Sequence, residues 1–415
     1  MKYRHRVLGL LSLLSIITYL DRVCISVAGP RMQEDLHISP VAWGWVTGVF
    51  AFSYAVFEIP SGAMGDRIGP RKVLTRIVLW WSAFTSLTGA VSNYSFLLLT
   101  RFCFGMGEAG AYPNASVVIA RWFPAHQRAR AAGIIWMASQ LGGALSPLLV
   151  VPIQMRYGWR ASFYAFGILG VVWGIVWYRR FRDSPAENPR VSKAELEEID
   201  HTSSETRHGL PWRIAVRSGN LWTVMAMTAC YVYTIYFFQS WFHTYLSKGR
   251  GYSENDLLLS AIPYLVGACA NGLGGVASDA LVRRLGLKWG RRSVGIIGLG
   301  SAALFAVAVV LTEHRLLALI FLSLLYGGVT FQQPNVFAVC MDIGGKHAGA
   351  VTGAMNTAGN VGSLVSSVAF GYLVTSFGNY NAPFIPMAVL LLVGGLLWLR
   401  IDPTREVIPS IEATA

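Results

Sequence analysis

Four charged residues lie inside apolar stretches of the chain, where charge is least easily accommodated. Asp21 and Arg22 are adjacent in the first stretch, and Arg101 and Glu108 lie seven residues apart in the fourth. At the centre of a bilayer a charged side chain costs roughly 2.5–3.5 kcal/mol on insertion scales, so such residues usually face a partner or a watery cavity. Two of the four are acids that can take up a proton, and two are cations that can hold an anion. They predict a carrier that moves an organic anion together with protons.

Helical spacing predicts how these charges are presented. Arg101 and Glu108 are two turns apart and share one face, and Gly105 between them predicts close approach of another helix or a substrate. Asp21 and Arg22 instead diverge by about 100° around their helix. We expect Arg101 to balance Asp21 and Glu108 as the proton-coupling group, which leaves Arg22 free to bind an anion. The alternative is a structural ion pair that only holds the fourth helix in place.

Uncharged polar residues in the apolar stretches are further candidates for substrate contacts. Each one alone is more often an interhelical hydrogen bond than a ligand contact. Gln140 and Asn360 stand out because they match each other in an internal repeat. The candidates are Tyr19, Tyr54, Gln140, Gln239, Gln332, Asn356 and Asn360. His243 is interpreted as a buried structural histidine. The cysteines show no metal-ligand spacing, so neither a metal nor a cofactor is expected.

The elements that position these residues are apolar segments that recur along the whole chain. The sequence has 415 residues, of which 54% are hydrophobic and only 13% are charged. Apolar runs of about 18 residues or more are long enough to cross a hydrocarbon core of about 30 Å. We predict an all-α membrane protein with twelve transmembrane helices in two six-helix bundles. The predicted spans are 6–28, 41–64, 73–91, 95–119, 131–153, 161–178, 219–246, 255–278, 293–312, 316–340, 349–376 and 381–400.

The net charge of +13 is distributed asymmetrically between the connecting segments. Of the 34 Lys and Arg residues, 26 fall on one set of alternating segments, which includes both termini, and six fall on the other. This asymmetry indicates that both termini are cytoplasmic, and it favours a membrane protein over a nucleic-acid-binding one. The apolar N-terminal stretch also resembles a signal peptide, but the adjacent charges at positions 21 and 22 favour an uncleaved first helix.

One long polar stretch divides the predicted spans six and six. We therefore predict a first bundle over 1–180, a cytoplasmic linker over 181–217, a second bundle over 218–402 and a cytoplasmic tail over 403–415. Within the linker, the sequence SKAELEEID has a Ser cap followed by acids, a pattern that predicts one short surface helix.

An internal repeat relates the two predicted bundles. The segment GAMGDRIGPRK after the second span matches GGVASDALVRR after the eighth, so that Asp66 corresponds to Asp279 at an offset of 213. Asn114 corresponds to Asn335 at an offset of 221. Ordered matches of this kind indicate two halves built on one scaffold.

The repeat does not extend to the intramembrane charges. In the same alignment Arg101 falls on Leu322 and Glu108 falls on Val329. Only the N-terminal half therefore carries charge in its fourth span.

The segment GDRIGPRK predicts a tight turn between spans 2 and 3, with an acid and several basic residues next to helix ends. An Asp in such a turn can accept hydrogen bonds from a facing helix and pair with Arg, then release as the domains move. We assign a gating role to Asp66, Arg67, Arg71 and Asp279. The alternative is a charged loop that only fixes topology.

These motifs resemble the major facilitator superfamily over essentially the whole chain. GDRIGPRK resembles its loop 2–3 signature. TYLDR, RFCFGMGEAGAYPN, RWFPAHQRARAAG and YFFQSWFHTYL resemble the anion:cation symporter family, which includes bacterial sugar-acid carriers. The resemblance implies alternating access between two bundles, with Asp21 and Glu108 as proton sites, Arg101 as their partner and Arg22 as carboxylate anchor. It also implies substrate contacts at Tyr54, Gln140 and Asn360. Glu58 departs from the family pattern.

The resulting hypothesis is proton-coupled symport of a small organic anion such as a hexonate, hexuronate or aldarate. The alternatives are an aromatic or dicarboxylic acid as substrate, or an exchanger or uniporter. A membrane enzyme or receptor is disfavoured because HExxH, GxSxG and phosphate-loop motifs are absent from the sequence. The expected partners are the anion, protons and membrane lipids, without nucleic acid. We expect a monomer in the cell inner membrane.

Overall fold

The computed structural model describes residues 2–200 and 215–407 of the chain. These residues form helices joined by short connections, and they contain no β-strand. The α-helices are α1 Tyr3–Asp35, α2 Pro40–Ile68, α3 Pro70–Ala90, α4 Tyr94–Glu108, α5 Ala111–Trp122, α6 Ala125–Tyr157, α7 Trp159–Arg180, α8 Lys193–Asp200, α9 Gly219–Ser240, α10 Phe242–Thr244, α11 Ala261–Leu311, α12 Arg315–Gly344, α13 Ala348–Phe377 and α14 Phe384–Leu397. Pro185–Glu187, Asn255–Ser260 and Gly345–His347 form 3-10 turns, and Tyr245–Gly249 forms a π-turn.

Many of these helices are long and apolar enough to cross a membrane. Eight segments meet that criterion by length and composition within the described ranges, and α14 is a shorter apolar helix. The eight are Tyr3–Asp35, Pro40–Glu58, Arg130–Tyr157, Trp159–Arg180, Gly219–Ser240, Asn255–Leu311, Arg315–Gly344 and Ala350–Phe377. The prediction of an all-α, multi-pass membrane protein is confirmed.

The number of twelve spans stays a prediction, because helices and predicted spans do not correspond one to one. The predicted spans 255–278 and 293–312 lie on either side of Gly286, where non-helical backbone with φ 76° and ψ 168° separates two helical segments of α11. A positive φ of this size suits glycine, which lacks the Cβ that would clash. The predicted span 95–119 is instead divided into α4 and α5.

Contacts divide the chain into two compact units. Unit 1 comprises Met1–Glu205 and Ser253–Ala261, and unit 2 comprises Thr206–Tyr252 and Ile262–Ala415. The short segment Ser253–Ala261 thus packs with unit 1, although in sequence it lies between two helices of unit 2. The domain boundaries given above stay predictions.

Polar side chains bonded to helix backbone fix the packing inside each unit. In unit 1, the indole N–H of Trp173 on α7 donates to the carbonyl of Leu10 on α1, at 2.9 Å. In unit 2, the hydroxyl of Ser366 on α13 donates to the carbonyl of Tyr233 on α9, at 2.7 Å. Such bonds set how far one helix slides along the next, which apolar packing alone defines poorly.

The linker contains the short helix that its sequence predicts, α8, which begins after Ser192. Its inner face is not a free surface, because Glu195 is only 3% exposed. The carboxylate of Glu195 accepts hydrogen bonds from the backbone N–H groups of Tyr3 and Arg4, each at 2.9 Å. These are among the N–H groups that a helix start leaves unpaired, so α8 caps α1 from outside.

A second acid on α8 strengthens this contact. Glu198 accepts a hydrogen bond from Arg4 Nη2 at 2.7 Å and forms an ion pair with Lys2. The hydrogen bonds from Arg4 and Lys2 lower the pKa of Glu198 to about 2. The carboxylate therefore stays ionised over the physiological pH range.

Candidate substrate and proton site

The predicted fourth span is interrupted at its glutamate. Helix α4 ends at Glu108 and α5 begins at Ala111, with Gly110 between them. Glu108 is completely buried. Irregular backbone at membrane depth is tolerated where protein or a water-filled cavity surrounds it. The break therefore places the buried carboxylate beside polar backbone, which a continuous helix would not do.

Glu108 is paired with an arginine of the first helix. Nε of Arg22 donates to Oε1 of Glu108 at 2.6 Å, and the two side chains are 14% and 1% exposed. The expectation that Arg22 is free was wrong. Sequence spacing defines the face on which each residue lies, but it does not define how far α1 and α4 slide along each other.

This pair leaves hydrogen-bonding capacity unused on both sides. Nη2 of Arg22 and Oε2 of Glu108 are buried, and neither has a hydrogen-bond partner in the part of the chain that the structure describes. A guanidinium presents its donors as a planar fork that matches carboxylates. Arg22 therefore retains a donor that an anion can use.

Three aromatic rings surround the Arg22 guanidinium. Its Cζ lies 4.7 Å from the ring centroid of Tyr54, 5.4 Å from that of Phe50 and 5.7 Å from that of Tyr19. Rings at this distance attract a cation and exclude water. The structure thus brings the predicted contacts Tyr19 and Tyr54 next to the predicted anchor, Arg22.

Phe50 also contacts the second cation of the site. Cζ of Arg101 lies 5.0 Å from the Phe50 centroid and 4.5 Å from that of Phe104. Phe50 therefore packs against both guanidinium groups. Sequence reasoning missed it, because one Phe in an apolar helix carries no polar signal. The available clue was Gly105: a Cβ on that residue would lie 2.7 Å from the carbonyl oxygen of Phe50.

Asp21 lies in the same electrostatic environment. It is 3% exposed and interacts electrostatically with Glu108 and Arg101. Thr85 of α3 lies near its carboxylate, yet neither oxygen of Asp21 is hydrogen-bonded within the described ranges. In a buried site without hydrogen bonds, the ionised form of a carboxyl group has a higher free energy than its protonated form, relative to water. The four charged residues singled out by the sequence thus form one buried cluster in unit 1.

A cluster of hydroxyl groups lies near these charges. Ser15 of α1, Tyr112 of α5 and Ser139 of α6 form a triangle with oxygen separations of 2.9, 2.7 and 3.0 Å. The Tyr112 ring stacks on Trp136 at 4.9 Å between centroids, and Tyr112 interacts electrostatically with Arg22. Sequence reasoning singled out neither serine. Gln140, the neighbour of Ser139, is buried as well.

The other predicted substrate contacts belong to unit 2. Gln239 on α9 is buried, and Asn356 and Asn360 on α13 are half-buried. Gln332 is buried with its stem against α11, because a Cβ on Gly298 would lie 2.9 Å from Cβ of Gln332. Their role in binding stays a prediction.

His243 of unit 2 is completely buried beside Phe242, with 5.4 Å between the ring centroids. This environment agrees with its interpretation as a structural histidine.

The predicted gating residues occupy varied environments. The side chain of Asp66 lies outside the described residues, and Arg67 is exposed. Nε and Nη2 of Arg71 donate to the carbonyl of Tyr178 at the end of α7, at 2.9 and 2.7 Å. Asp279 is exposed and lies 4.0 Å from Arg291 Nη1. Arg71 therefore joins α3 to α7 inside unit 1, and the gating role stays a prediction.

The internal repeat reappears as matched contacts. In unit 1, a Cβ on Gly65 would lie 1.9 Å from Oδ1 of Asn114. In unit 2, Ser278 donates its hydroxyl to Oδ1 of Asn335 at 2.8 Å. Ser278 corresponds to Gly65 at the offset of 213. The two asparagines therefore contact corresponding residues in the two units.

Comparison with known proteins places the chain in a family. The family model of the Major Facilitator Superfamily matches residues 11–367 and 284–414. A probable sulfoacetate transporter of Cupriavidus necator is 36% identical, covering 98% of this chain and 95% of its own length. A hexuronate transporter of Bacillus subtilis is 29% identical, over 93% and 90%. A probable galactarate/D-glucarate transporter of the same organism is 27% identical, over 98% and 93%.

Solved structures show the same fold. An inward-facing, occupied structure of a bacterial homologue of the human lysosomal transporter Spinster covers 97% of both chains with a TM-score of 0.78, at 19% identity. Fold and relatives together define a multi-pass membrane transporter and exclude an enzyme. The chain belongs to the Major Facilitator Superfamily. The predicted superfamily and its fold are confirmed.

Proposed function

We propose that this protein is a proton-coupled symporter of a small organic anion. The observation that carries the proposal is the buried pair of Arg22 and Glu108, in which the arginine retains an unused donor. Relatives whose names specify sulfoacetate, hexuronate and galactarate or glucarate support an organic anion as substrate.

Anion and proton compete for the same arginine in this mechanism. An incoming carboxylate or sulfonate binds Nη2 of Arg22 and draws the guanidinium away from Glu108. The glutamate is then a buried carboxylate without its partner, a state that costs more than the neutral acid. Glu108 therefore takes up a proton as the anion binds.

Asp21 provides a second proton site. It is buried without hydrogen bonds among the described residues, and it interacts with Arg101 and Glu108. Arg101 compensates the negative charge of both acids in turn. Two acids allow up to two protons for each anion, and with a monoanion the second proton makes transport sensitive to membrane potential, by about 2.3 kcal/mol per charge per 100 mV.

We favour a sugar acid such as a hexonate, hexuronate or aldarate as substrate. Hydroxyl and amide groups from Tyr19, Tyr54 and Gln140 suit a polyhydroxylated acid, and so do the proposed contacts Gln239, Gln332, Asn356 and Asn360. The second candidate is a small sulfonated carboxylate, favoured by the 36% identity to the probable sulfoacetate transporter. An aromatic or dicarboxylic acid, or exchange without net proton movement, is a further alternative.

We further propose that two six-helix bundles, 1–180 and 218–402, alternate access to the site, with Asp66 and Asp279 in the gates. The excess of basic residues on alternate segments supports cytoplasmic termini, a cytoplasmic linker and tail, and a location in the inner membrane. The transporter works as a monomer in this proposal.

The test is uptake by purified protein in proteoliposomes with an imposed proton gradient. We expect accumulation of one anion from a panel of hexonates, hexuronates, aldarates and sulfoacetate. Arg22→Lys should abolish both uptake and ligand-induced thermal stabilisation, because an ammonium lacks the planar fork. Arg76→Lys, which alters an exposed arginine of the same unit without a proposed role in transport, is the matched control. Accumulation by Arg22→Lys at the wild-type level would refute the proposed anchor, and accumulation without a proton gradient would refute coupling.

A further inference from the structure

A groove opens on the surface of unit 1 between the start of α1 and the end of α7. Its volume is about 220 Å³. Two arginines, Arg6 and Arg180, line it together with the apolar residues Val7, Leu10 and Phe181. The groove is separate from the buried charges described above, and we call it the α1–α7 groove.

The two arginines of the groove lack the compensation that their neighbours have. Arg4 and Lys2 are paired with Glu198, whereas neither Arg6 nor Arg180 forms an ion pair with any carboxylate of residues 2–200 and 215–407. Both side chains are exposed. Two cations at adjacent helix ends attract an anion to the mouth of the groove.

Exposed apolar side chains follow at helical spacing from the groove-lining residues Leu10 of α1 and Val176 of α7. Leu13 on α1 is 42% exposed, and Ile168 and Val172 on α7 are 63% and 51% exposed. Side chains of this type on a membrane-spanning helix contact lipid chains. Inorganic phosphate could satisfy the arginines but would leave this surface unmatched, whereas a phospholipid satisfies both.

The floor of the groove, at Gly9, is not filled by any side chain, and a hydrogen bond fixes the two helices beside it. A Cβ on Gly9 would meet no atom within 4 Å, so this glycine leaves space between the helices. The bond from Trp173 to the Leu10 carbonyl, one residue further along α1, fixes α7 against α1. The space therefore does not depend on loose packing of the two helices.

We propose that the α1–α7 groove binds one anionic phospholipid. Arg6 and Arg180 bind the phosphate of the head group, and an acyl chain lies along Leu13, Val172 and Ile168. Basic pockets between transmembrane helices at the membrane surface bind acidic head groups in this manner. The lipid also joins α1 to α7 at the end where the linker helix α8 is attached.

The test measures lipid binding to the detergent-purified full-length protein by native mass spectrometry. The probes are phosphatidylglycerol, phosphatidylcholine and inorganic phosphate. We expect phosphatidylglycerol to bind more tightly than phosphatidylcholine. Arg6→Ala combined with Arg180→Ala should weaken phosphatidylglycerol binding by roughly ten- to thirtyfold, from the usual contribution of a basic residue at an anionic surface.

Two further variants separate a built site from general attraction to charge. Arg76→Ala combined with Arg190→Ala removes the same charge from exposed positions outside the groove and should leave binding unchanged. Gly9→Phe keeps both arginines, fills the open floor and should also weaken binding. Equal loss in the control, full binding by Gly9→Phe, or equal binding of phosphatidylcholine would each overturn the proposal. Displacement of the lipid by millimolar inorganic phosphate would reassign the groove as a simple anion site.

Discussion

The two units retain the same scaffold residue next to very different interiors. Asn114 and Asn335 are both buried, and they contact the corresponding residues Gly65 and Ser278. In unit 1 the preceding helix carries Arg101 and Glu108, both buried. In unit 2 the corresponding residues are leucine and valine, also buried. The same framework therefore accommodates buried charges in one unit and apolar side chains at the corresponding positions of the other.

The backbone differs between the units at the same place. In unit 1 the chain breaks after Glu108, and α5 begins three residues later. In unit 2 the corresponding segment is one helix, α12, which continues through Pro334. A helix in an apolar environment keeps its internal backbone hydrogen bonds, because neither lipid nor apolar side chains provide other partners. The break occurs in the unit whose side chains are charged.

The largest expected effect comes from making unit 1 resemble unit 2. Glu108→Val installs the residue type of Val329 and leaves Arg22 buried without its partner. Removing one member of a buried ion pair typically costs about 3–5 kcal/mol. We expect thermal unfolding to show a loss of stability of that size. The rate of gradient-driven uptake should fall at least a hundredfold, which corresponds to an increase of about 2.7 kcal/mol or more in its activation free energy.

Two variants separate function from folding at this position. Glu108→Gln should retain most of the stability and substrate exchange but lose gradient-driven accumulation, because it mimics the protonated acid. Val329→Ala in unit 2 removes only packing atoms and should retain accumulation. Accumulation by Glu108→Gln would contradict a proton role for this residue.

The second prediction tests the shared asparagine. Gly65→Ala introduces a methyl group 1.9 Å from Oδ1 of Asn114, and overpacking of this kind costs about 1–3 kcal/mol. Ser278→Ala removes a hydroxyl that donates to Asn335 and accepts from Nη1 of Arg291 at 2.7 Å; it introduces no clash and should cost about 1 kcal/mol. Gly133→Ala, where a Cβ meets nothing within 4 Å, is the control. Chemical denaturation in detergent measures all three, and equal effects in both units would show that the asparagines play equivalent parts after all.

The third prediction compares the first helix of each unit. The start of α9 is capped by its own neighbour, with Ser218 Oγ accepting from Leu221 N at 3.4 Å. The start of α1 is capped from the linker by Glu195, through two shorter bonds. Glu195→Ala should therefore cost about 1–2 kcal/mol and Ser218→Ala about 0.5–1 kcal/mol. Hydrogen exchange of residues 3–8 should rise only in the first variant; unchanged exchange there would argue against the cap.

The fourth prediction concerns the pH dependence of the second contact between α8 and α1, in which Glu198 pairs with Arg4 and Lys2. The pKa of Glu198 is lowered to about 2 from an ordinary value of 4.5. A lowered pKa in the folded state means that the contribution to stability is complete above the ordinary value and is lost as the pH falls through about 2. Exchange at the start of α1, corrected for its intrinsic pH dependence, should stay constant from pH 8 to pH 5. A rise within this range would place another group in control.

The smallest expected effect distinguishes two surface arginines. Arg31 of unit 1 forms an ion pair with Glu254, and the side chains are 30% and 37% exposed. Arg250 of unit 2 donates instead to neutral oxygens, including Tyr245 OH at 2.7 Å. Arg31→Ala should cost about 0.2–1 kcal/mol at low salt and less at high salt. The cost of Arg250→Ala should not depend on salt. Thermal unfolding at two salt concentrations checks both, and a salt-independent cost for Arg31→Ala would contradict an ionic contribution.

The sequence identified the residues of the site better than their partners. The intramembrane charges predicted the cluster, and helical spacing correctly placed Arg101 and Glu108 in one helix, α4. The pairing of Arg22 with Glu108 depends on axial displacement between two helices, which no local pattern encodes. Phe50 and the serine hydroxyls were missed because such residues are common in any apolar helix, and only their neighbours give them a role.

Helix boundaries show the same limit. The apolar pattern predicted one continuous span over 95–119, where the chain breaks between α4 and α5, whereas its spans 255–278 and 293–312 lie on either side of the non-helical Gly286. The pattern reports which side chains avoid water, and it does not report whether the backbone continues between two such stretches.

The external cap on α1 also has a consequence in time. Glu195 lies 192 residues after Tyr3, whose N–H it binds. At typical rates of synthesis, ~5–20 residues per second, roughly 10–40 s pass between the emergence of the two residues from the ribosome. Throughout that interval the start of α1 has to rely on water or other partners. The linker helix α8 then caps α1, the first helix to be synthesised. This cap can form only after all the intervening helices have been made.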